Sequence, residues 1–466
     1  MKLPPRIDSD TPVRPDGTRT GRRRDVLAAA AAAVLFAVAA VVGTLIQRTE
    51  HSLYVDWAPL YADWLPHLGP GTPAALAVAV AVVVRGPRLA ARLRWRGLLA
   101  VVWAAAMAWT WSLALVDGWH RGVAERLTTR HEYLRGVGRF HDIGAALRGF
   151  TGHILLTQPD HWPAHIAGHP PGAVLTFVGL DRLGPGGGGW AAAFCITVGA
   201  SATVAVLVTL RALGRERAAR TAAPFLVLAP GAVWAGVSAD GYFTAVAAWG
   251  LALLTLAATG TVRAPGAVAF GSGLLLGLTA YLSYGLTLMA LPAVAVLLVT
   301  RTARPLPFAL AGVAVVAAAF TTAGFRWWEG YSLLVERYYQ GVASERPYGY
   351  WVWANLAVAT VVAGPAGVAG ARRMAVAVPG ALRRLRRGGA PGAPDGLVVL
   401  AAAALLALVV ADLSGMSKAE TERIWLPFLL WLLPTTALLP AADRRRWLLA
   451  QAGIGLLVNH LLLTGW

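Results

Sequence analysis

The residues best suited to chemistry lie in one polar stretch, 119–172, of a chain that is otherwise almost continuously apolar. Seven of the ten histidines fall in this stretch: His120, His131, His141, His153, His161, His165 and His169. Carboxylates and six arginines accompany them, a mixture that can transfer protons near neutral pH and bind anions. A connection this long usually persists because it binds or catalyses. We expect an active-site loop; the alternative is a solvated cap that only supports the rest of the chain.

Four further polar segments, 48–72, 238–242, 325–350 and 416–423, lie between apolar runs. The 325–350 segment is the richest, because tryptophans and tyrosines alternate there with glutamates and arginines. Any one of these aromatic side chains could belong to an interfacial belt. Their density among carboxylates also suits carbohydrate, since rings stack on the apolar faces of sugars while charged groups bind the hydroxyls.

Composition places the chain in a membrane. Of its 466 residues, 57% are hydrophobic and only 14% are charged, which is more apolar surface than a water-soluble core can bury. The net charge of +18 comes from arginine runs between apolar segments, as the positive-inside rule describes, so nucleic-acid binding is not expected. The single cysteine, Cys195, excludes an intrachain disulfide and a thiolate metal cluster. The skew towards Ala, Gly, Val, Leu and Arg is typical of high-GC bacteria, which predicts a multi-pass protein of the bacterial plasma membrane.

The predicted fold class is all-α, a polytopic transmembrane helix bundle of about thirteen spans that forms one domain over residues 25–466. Residues 1–24 are polar and end in three arginines, which indicates a disordered cytoplasmic tail. Residues 388–396 indicate a cytoplasmic linker. The predicted spans are 25–47, 73–87, 98–117, 189–211, 221–237, 242–259, 266–282, 284–300, 306–324, 351–370, 396–414, 424–440 and 447–464.

Charge sets the predicted orientation. With these spans and a cytoplasmic N-terminus, 28 of the 41 Lys and Arg residues fall on the inner side, while 16 of the 23 acidic residues fall on the outer side. The 118–172 loop is therefore predicted to face the exterior. Residues 171–183 are apolar, but a crossing there would reverse every later basic loop. We expect them to form an outer-leaflet or re-entrant helix that belongs to the outer loop 118–188.

The order of these features resembles the GT-C superfamily of integral-membrane glycosyltransferases, which includes protein O-mannosyltransferases and aminoarabinose transferases. The resemblance rests on the long first outer loop, the helix start at His169-Pro170-Pro171-Gly172, the Arg-rich turn 211–220 and the acidic turn 238–242. Segment 417–427, SKAETERIWLP, is similar to a motif of actinobacterial membrane proteins of this kind. The resemblance spans about residues 98–440, and hairpin 73–117 is an insertion relative to the family.

The resemblance implies transfer of a sugar from a polyprenyl-phosphate donor to an envelope acceptor at the outer face. It also implies an outer-loop carboxylate as the base. Where relatives carry an Asp-Glu pair, this chain has His131-Glu132, so Glu132 is the closest match and Asp142 is the alternative. Asp240 would orient the acceptor or a divalent metal ion that serves as cofactor. The remaining substrate-binding candidates are His131, Tyr133, His165, His169, Arg337, Arg346, Lys418, Glu422 and Arg423.

Three other interpretations compete with this one. His161, His165 and His169 have the i, i+4, i+8 spacing that would line one helix face and could hold zinc, although Pro163 and Pro170 argue against a continuous helix. A transporter or lipid flippase would be expected to carry ionisable residues inside its spans, and here only Asp412 and His460 come close. A non-catalytic membrane protein for envelope assembly is the third possibility.

Overall fold

The computed structural model describes residues 19–387 and 395–465. Most of this part of the chain is helical. The helices are α1 (Arg19–Thr49), α2 (Thr72–Arg92), α3 (Trp95–Ala114), α4 (Ile143–Arg148), α5 (Ala164–Ala167), α6 (Pro171–Leu183), α7 (Gly187–Ala212), α8 (Glu216–Val227), α9 (Ala232–Ala235), α10 (Ala239–Ala258), α11 (Pro265–Leu282), α12 (Ala290–Thr300), α13 (Leu306–Thr322), α14 (Trp327–Tyr339), α15 (Tyr348–Arg386), α16 (Asp395–Leu413), α17 (Thr421–Ile424), α18 (Leu426–Leu429) and α19 (Arg444–Leu461). Two strands, β1 (Ala62–Trp64) and β2 (Leu462–Thr464), pair antiparallel.

Within the described residues, eight helices are long and apolar enough to cross a membrane: α1, α2, α3 with its following turn, α7, α10, α11, α15 and α16. The count rises to ten if each of two bent pairs is one span. Helices α13 and α14 meet at 74°, and the segments Leu426–Leu438 and Ala441–Leu461 meet at 112°. The all-α bundle is therefore confirmed in its coarse form. The predicted number of spans, about thirteen, exceeds what length and composition support.

The excess comes from apolar runs that do not form one long helix. Segment 221–237 is interrupted between α8 and α9, and segment 284–300 is a 3-10 helix followed by the eleven-residue α12. Segment 424–440 is divided among α17, α18 and a 3-10 turn. Prolines lie within each of these regions, and a proline lacks the N–H that a continuing helix would donate. Hydropathy alone cannot reveal such interruptions.

The start of α1 and the end of the predicted linker 388–396 also differ from expectation. Helix α1 begins at Arg19, so residues 19–24 are helical and not part of a disordered tail; residues 1–18 lie outside the described part of the chain. Of the predicted linker, 388–394 lie outside it too, while Asp395 already begins α16. Helix α6 has thirteen residues, about 20 Å of rise, which is shorter than a bilayer core.

Glycines allow the central helices to pack closely. A Cβ at Gly273 of α11 would lie 1.9 Å from the carbonyl oxygen of Ala309 in α13, and a Cβ at Gly312 would lie 2.3 Å from that of Phe270. Small residues at such contacts let helix backbones approach, which is a common source of association between helices in membranes. Helix α10 packs against α7 and α11 and is the most completely buried of the membrane-length helices. It therefore provides a rigid base for the residues at its N-terminus.

Side-chain contacts divide the connecting segments into two groups. In one group, Asp25 of α1 pairs with Arg373 of α15 at 2.6 Å, and Arg384 pairs with Asp395 at 2.6 Å. Also in this group, Arg220 donates to the carbonyl oxygens of Ala90 and Leu93. These are the segments predicted to lie inside. The predicted outer segments make contacts with one another instead, and those contacts form the candidate site.

Candidate functional site

Arg423 lies at the centre of a buried cluster that is formed by the predicted outer segments. Its Nη1 donates to Asp240 Oδ2 at 2.6 Å, and its Nη2 donates to Glu420 Oε2 at 2.9 Å and to His165 Nε2 at 3.2 Å. The Arg423 and Asp240 side chains are each 7% exposed. Burial alone would lower the pKa of the Arg423 guanidinium, but Asp240 and Glu420 outweigh it and raise that pKa. A permanently charged guanidinium thus holds three groups from three segments.

His165 connects Arg423 to Glu132. Because a guanidinium has no acceptor, His165 Nε2 must accept the hydrogen bond from Arg423, and the ring proton then resides on Nδ1. His165 Nδ1 lies 3.1 Å from Glu132 Oε1, so it donates to that carboxylate. Glu132 and His165 are 6% and 9% exposed. A neutral imidazole thus orients a buried carboxylate. Catalytic sites often use such a chain, in which one side chain orients the reactive group and a third group holds that side chain in place.

Local backbone features bring these side chains together. Prolines 163 and 170 flank α5, which has four residues, and the His165 N–H donates to the His131 carbonyl oxygen at 3.0 Å. Ser238 caps α10 by accepting from the Asp240 N–H at 3.1 Å, which places Asp240 in the first turn of a helix, where a carboxylate is favoured. Ala419 and Glu420 have positive φ and turn the chain back towards α10.

An aromatic wall closes one side of the cluster. The Tyr133 ring stacks on Phe177 of α6 with a centroid separation of 5.0 Å, and its edge contacts His169. Burial raises the pKa of Tyr133 well above its usual value, so its hydroxyl stays protonated. Burial also lowers the pKa of His169 to about 4, with Asp240 opposing that shift. His169 is therefore neutral at pH 7, and its Nδ1 donates to the His165 carbonyl oxygen at 2.8 Å.

Two glutamates, Glu420 and Glu422, precede Arg423 in the sequence, and their pKa values shift in opposite directions. Burial would raise the pKa of Glu420, but Arg423, Arg346 and His165 lower it overall, so Glu420 is ionised. Glu422 is fully buried; its Oε1 accepts from the Tyr61 N–H at 3.0 Å, while Oε2 has no hydrogen-bond partner within the described residues. Burial raises the pKa of Glu422 to about 7, although the hydrogen bonds from backbone N–H groups oppose the shift. Glu420 was missed by sequence reasoning, even though it lies within the 417–427 motif.

Two buried cations lie next to this cluster. Arg346, 6% exposed, donates to the carbonyl oxygens of Leu53 at 2.9 Å and Lys418 at 2.8 Å. Lys418, 9% exposed, donates from Nζ to the Ala343 carbonyl oxygen at 2.8 Å. Burial and the nearby Arg346 lower the pKa of Lys418. Neither cation forms an ion pair within residues 19–387 and 395–465, so both retain N–H donors for an anion.

An apolar pocket adjoins the cluster along α10. Gly241 and Thr244, within one turn of Asp240, line it together with Leu426, which is close to Arg423 in the chain. Helices α3, α7 and α15 complete the wall, for example through Thr110, Thr203 and Val362. The pocket volume is about 80 Å³. Its lining is mostly apolar, which suits an apolar part of a ligand.

The side chains of several predicted site residues are not part of the cluster. Asp142 is exposed, and its carboxylate caps α4 by accepting from the Ala145 N–H at 2.9 Å. His131 adjoins the cluster through its carbonyl oxygen, but its side chain is exposed and accepts from Arg130. Arg337 lies in the last turn of α14, and no hydrogen bond within the described residues joins it to Arg423. The structure therefore brings together Glu132, Tyr133, His165, His169, Asp240, Glu422 and Arg423, with Arg346 and Lys418 beside them.

The zinc interpretation fails on geometry. His161 lies outside α5, is exposed, and uses Nδ1 to contact the Trp162 carbonyl oxygen at 3.1 Å. His165 and His169 are joined side chain to backbone, and the prolines that flank α5 prevent the continuous helix that the spacing required. Within the described residues, no group of three or more His, Cys, Asp or Glu side chains could hold a metal ion.

No family model, curated protein or solved structure matches this chain.

Proposed function

We propose that the protein is a membrane glycosyltransferase that moves a sugar from a polyprenyl-phosphate donor to an envelope acceptor at the outer face of the bacterial plasma membrane. The observation that carries the proposal is the buried chain of contacts from Glu132 through His165 and Arg423 to Asp240. Buried charges are costly unless they have a function or a partner. Here, they gather where an apolar pocket meets the polar loops.

Glu132 acts as the base in this proposal. The acceptor hydroxyl gives its proton to the Glu132 carboxylate as its oxygen bonds to the anomeric carbon. The bond from that carbon to the phosphate oxygen breaks, and its electron pair leaves with the polyprenyl phosphate. His165 keeps the carboxylate oriented, and Arg423 fixes His165 and Asp240. Asp240 then accepts a hydrogen bond from a hydroxyl of the sugar or the acceptor.

In this proposal, Arg346 and Lys418 bind the phosphate of the donor, and Arg423 does not. Arg423 already bonds to two carboxylates and an imidazole, whereas Arg346 and Lys418 are held by carbonyl oxygens. Cations with free donors neutralise the charge that develops on a leaving phosphate. The apolar pocket beside Asp240 accepts an apolar part of the donor, and the rest of the polyprenyl chain lies in the bilayer.

The test compares two carboxylates in the same loop. Glu132→Gln should lower transfer from a labelled polyprenyl-phosphate sugar in proteoliposomes by roughly 10²–10⁴-fold, as expected for loss of a general base. Asp142→Asn should retain transfer, because Asp142 is exposed and caps a short helix. Full activity of Glu132→Gln would remove Glu132 from the base role. Absence of transfer by the natural protein across a panel of donors would count against the transferase itself.

A transporter or lipid flippase is the second candidate, and Asp412 is the observation in its favour. Asp412 is 3% exposed within α16, and its Oδ1 accepts from Asn355 Nδ2 at 3.0 Å. An ionisable residue inside a span commonly marks an ion or proton pathway. Asp412→Asn should abolish uptake of a lipid-linked sugar or small solute into vesicles if this function holds, and it should leave transfer intact if it does not.

A further inference from the structure

A patch of exposed tyrosines lies beside the two buried cations. Tyr54, Tyr339 and Tyr348 are 41%, 45% and 42% exposed. Gly415 lies between two of them, because a Cβ there would be 3.6 Å from the Tyr348 ring and 3.9 Å from the Tyr339 hydroxyl. The third tyrosine, Tyr54, donates its hydroxyl to the exposed Glu345 carboxylate. Two segments that are distant in sequence, 48–72 and 325–350, therefore present tyrosines in one region, and Gly415 of a third segment packs against two of them.

The buried cations form the floor of this patch. Lys418 Nζ lies 5.4 Å from the centre of the Tyr339 ring, and Arg346 donates to the Tyr54 carbonyl oxygen at 3.4 Å. The backbone N–H of Lys418 in turn donates to the Tyr338 hydroxyl at 2.9 Å. The contacts of Lys418 and Arg346 thus place the patch beside the segment that carries Glu420 and Arg423. A ligand on the patch would lie next to that segment.

The chemistry of the patch differs from that of the lipid-facing surface. Exposed side chains on α1 and α2 are aliphatic, such as Val38, Leu45, Val80 and Val84. The patch instead combines rings with hydroxyls and a carboxylate, since Ser344, Glu345 and Ser414 are exposed around it. Flat rings with polar groups at their edges suit a ligand that has apolar C–H faces and many hydroxyls.

We propose that this tyrosine patch, formed by Tyr54, Tyr339 and Tyr348, binds a glycan chain that serves as the sugar acceptor. This inference rests on the proposed transferase function for the word acceptor, but glycan binding itself does not depend on any donor. A sugar ring stacks on Tyr339 or Tyr348, which both lie against the buried Gly415, and Glu345 accepts hydrogen bonds from hydroxyls. The terminal hydroxyl then points towards Glu132 and Asp240.

Binding is measured without a donor, on the full chain in lipid nanodiscs. Short linear oligosaccharides of glucose, mannose and arabinose are titrated in turn, with saturation-transfer NMR to detect contact at the sugar C–H groups. We expect at least one series to bind. Tyr339→Ala and Tyr348→Ala should each weaken that series about tenfold, which corresponds to about 1.4 kcal/mol per contact, while Tyr348→Phe should bind as the natural protein does.

Trp328→Ala is the matched control, since Trp328 is 78% exposed on the same helix as Tyr339 but outside the patch. It should bind oligosaccharides normally. Equal loss in Trp328→Ala, binding unchanged by both alanine variants, or no binding of any series would each overturn the proposal and leave an interfacial aromatic belt. Glycan binding without sugar transfer would keep this inference and reject the transferase, so the two failures can be told apart.

Discussion

Glu422 is a single carboxyl whose environment makes the stability of the protein depend on pH. Its pKa is raised to about 7 by burial, compared with about 4.3 in an unfolded chain. The stability that comes from the protonated form is complete below the unfolded pKa and is lost as pH rises through the folded pKa. The free energy of unfolding should therefore fall by about 1–3 kcal/mol between pH of about 4.5 and about 8.

The variant Glu422→Gln tests this directly, because an amide cannot ionise and has nearly the same shape. Thermal unfolding in detergent, followed across the same pH range, should show a shallower pH dependence for the variant than for the natural protein. The variant should be the more stable of the two at the alkaline end. Parallel curves would show that Glu422 does not titrate in this range.

At the residue scale, the sequence predicts which residues cluster better than it predicts the contacts that they make. Glu132, His165, Asp240 and Arg423 were candidates because of residue type and outer position, and the structure brings all four together. The sequence does not predict that Asp142 caps a helix or that Arg423 already bonds to two carboxylates. Those outcomes depend on which side chains the loop buries, and burial is decided by packing between segments that are distant in sequence.

Helix α15 contains a break, and a side chain of another helix forms hydrogen bonds with the backbone groups that the break leaves unpaired. Gly364 has φ 71° within α15, which interrupts the hydrogen bonds of the helix. Gln451 of α19, fully buried, accepts from the Ala366 N–H at 3.1 Å and donates to the Ala363 carbonyl oxygen at 2.7 Å. Because water is scarce inside a membrane bundle, the broken backbone depends on this one side chain.

Gln451→Leu should therefore destabilise the protein by about 2–4 kcal/mol, since it leaves a buried N–H and a buried C=O without partners. Unfolding in detergent by denaturant, followed by circular dichroism, provides the measurement. Gln158→Leu is the control, because Gln158 is exposed in a loop and its side chain should contribute little. A Gln451→Leu midpoint equal to that of Gln158→Leu would show that the break has another source of support.

At the element scale, hydropathy located nearly every apolar segment but not its continuity. The runs 221–237 and 424–440 have the composition of spans, yet the chain bends within each. Prolines mark these positions in the sequence, but α2 continues past Pro87 and the second half of α15 continues past Pro379. Whether a helix stops at a proline depends on how neighbouring elements pack there and satisfy the freed backbone groups, and that information is tertiary.

The whole molecule is a bundle with a basic end and a polar, acid-rich end. Its direction across the membrane decides on which side the proposed reaction would occur. Segments predicted to lie inside contact one another through ion pairs such as Asp25 to Arg373 and Arg384 to Asp395. The segments that build the site contact one another at the other end. Basic residues are retained on the cytoplasmic side during insertion, so we expect the site to face the exterior.

Two introduced cysteines test that orientation. Thr157→Cys lies in the exposed part of the 119–172 loop, and Ala303→Cys is exposed in the basic turn before α13. The natural Cys195 is buried, so the unmodified protein provides a blank. On intact cells, an impermeant maleimide should label Thr157→Cys fully and Ala303→Cys only after the membrane is permeabilised. The reverse pattern would place the Arg423 cluster in the cytoplasm, where a donor presented at the outer face could not reach it, and the proposed transferase would have to be given up.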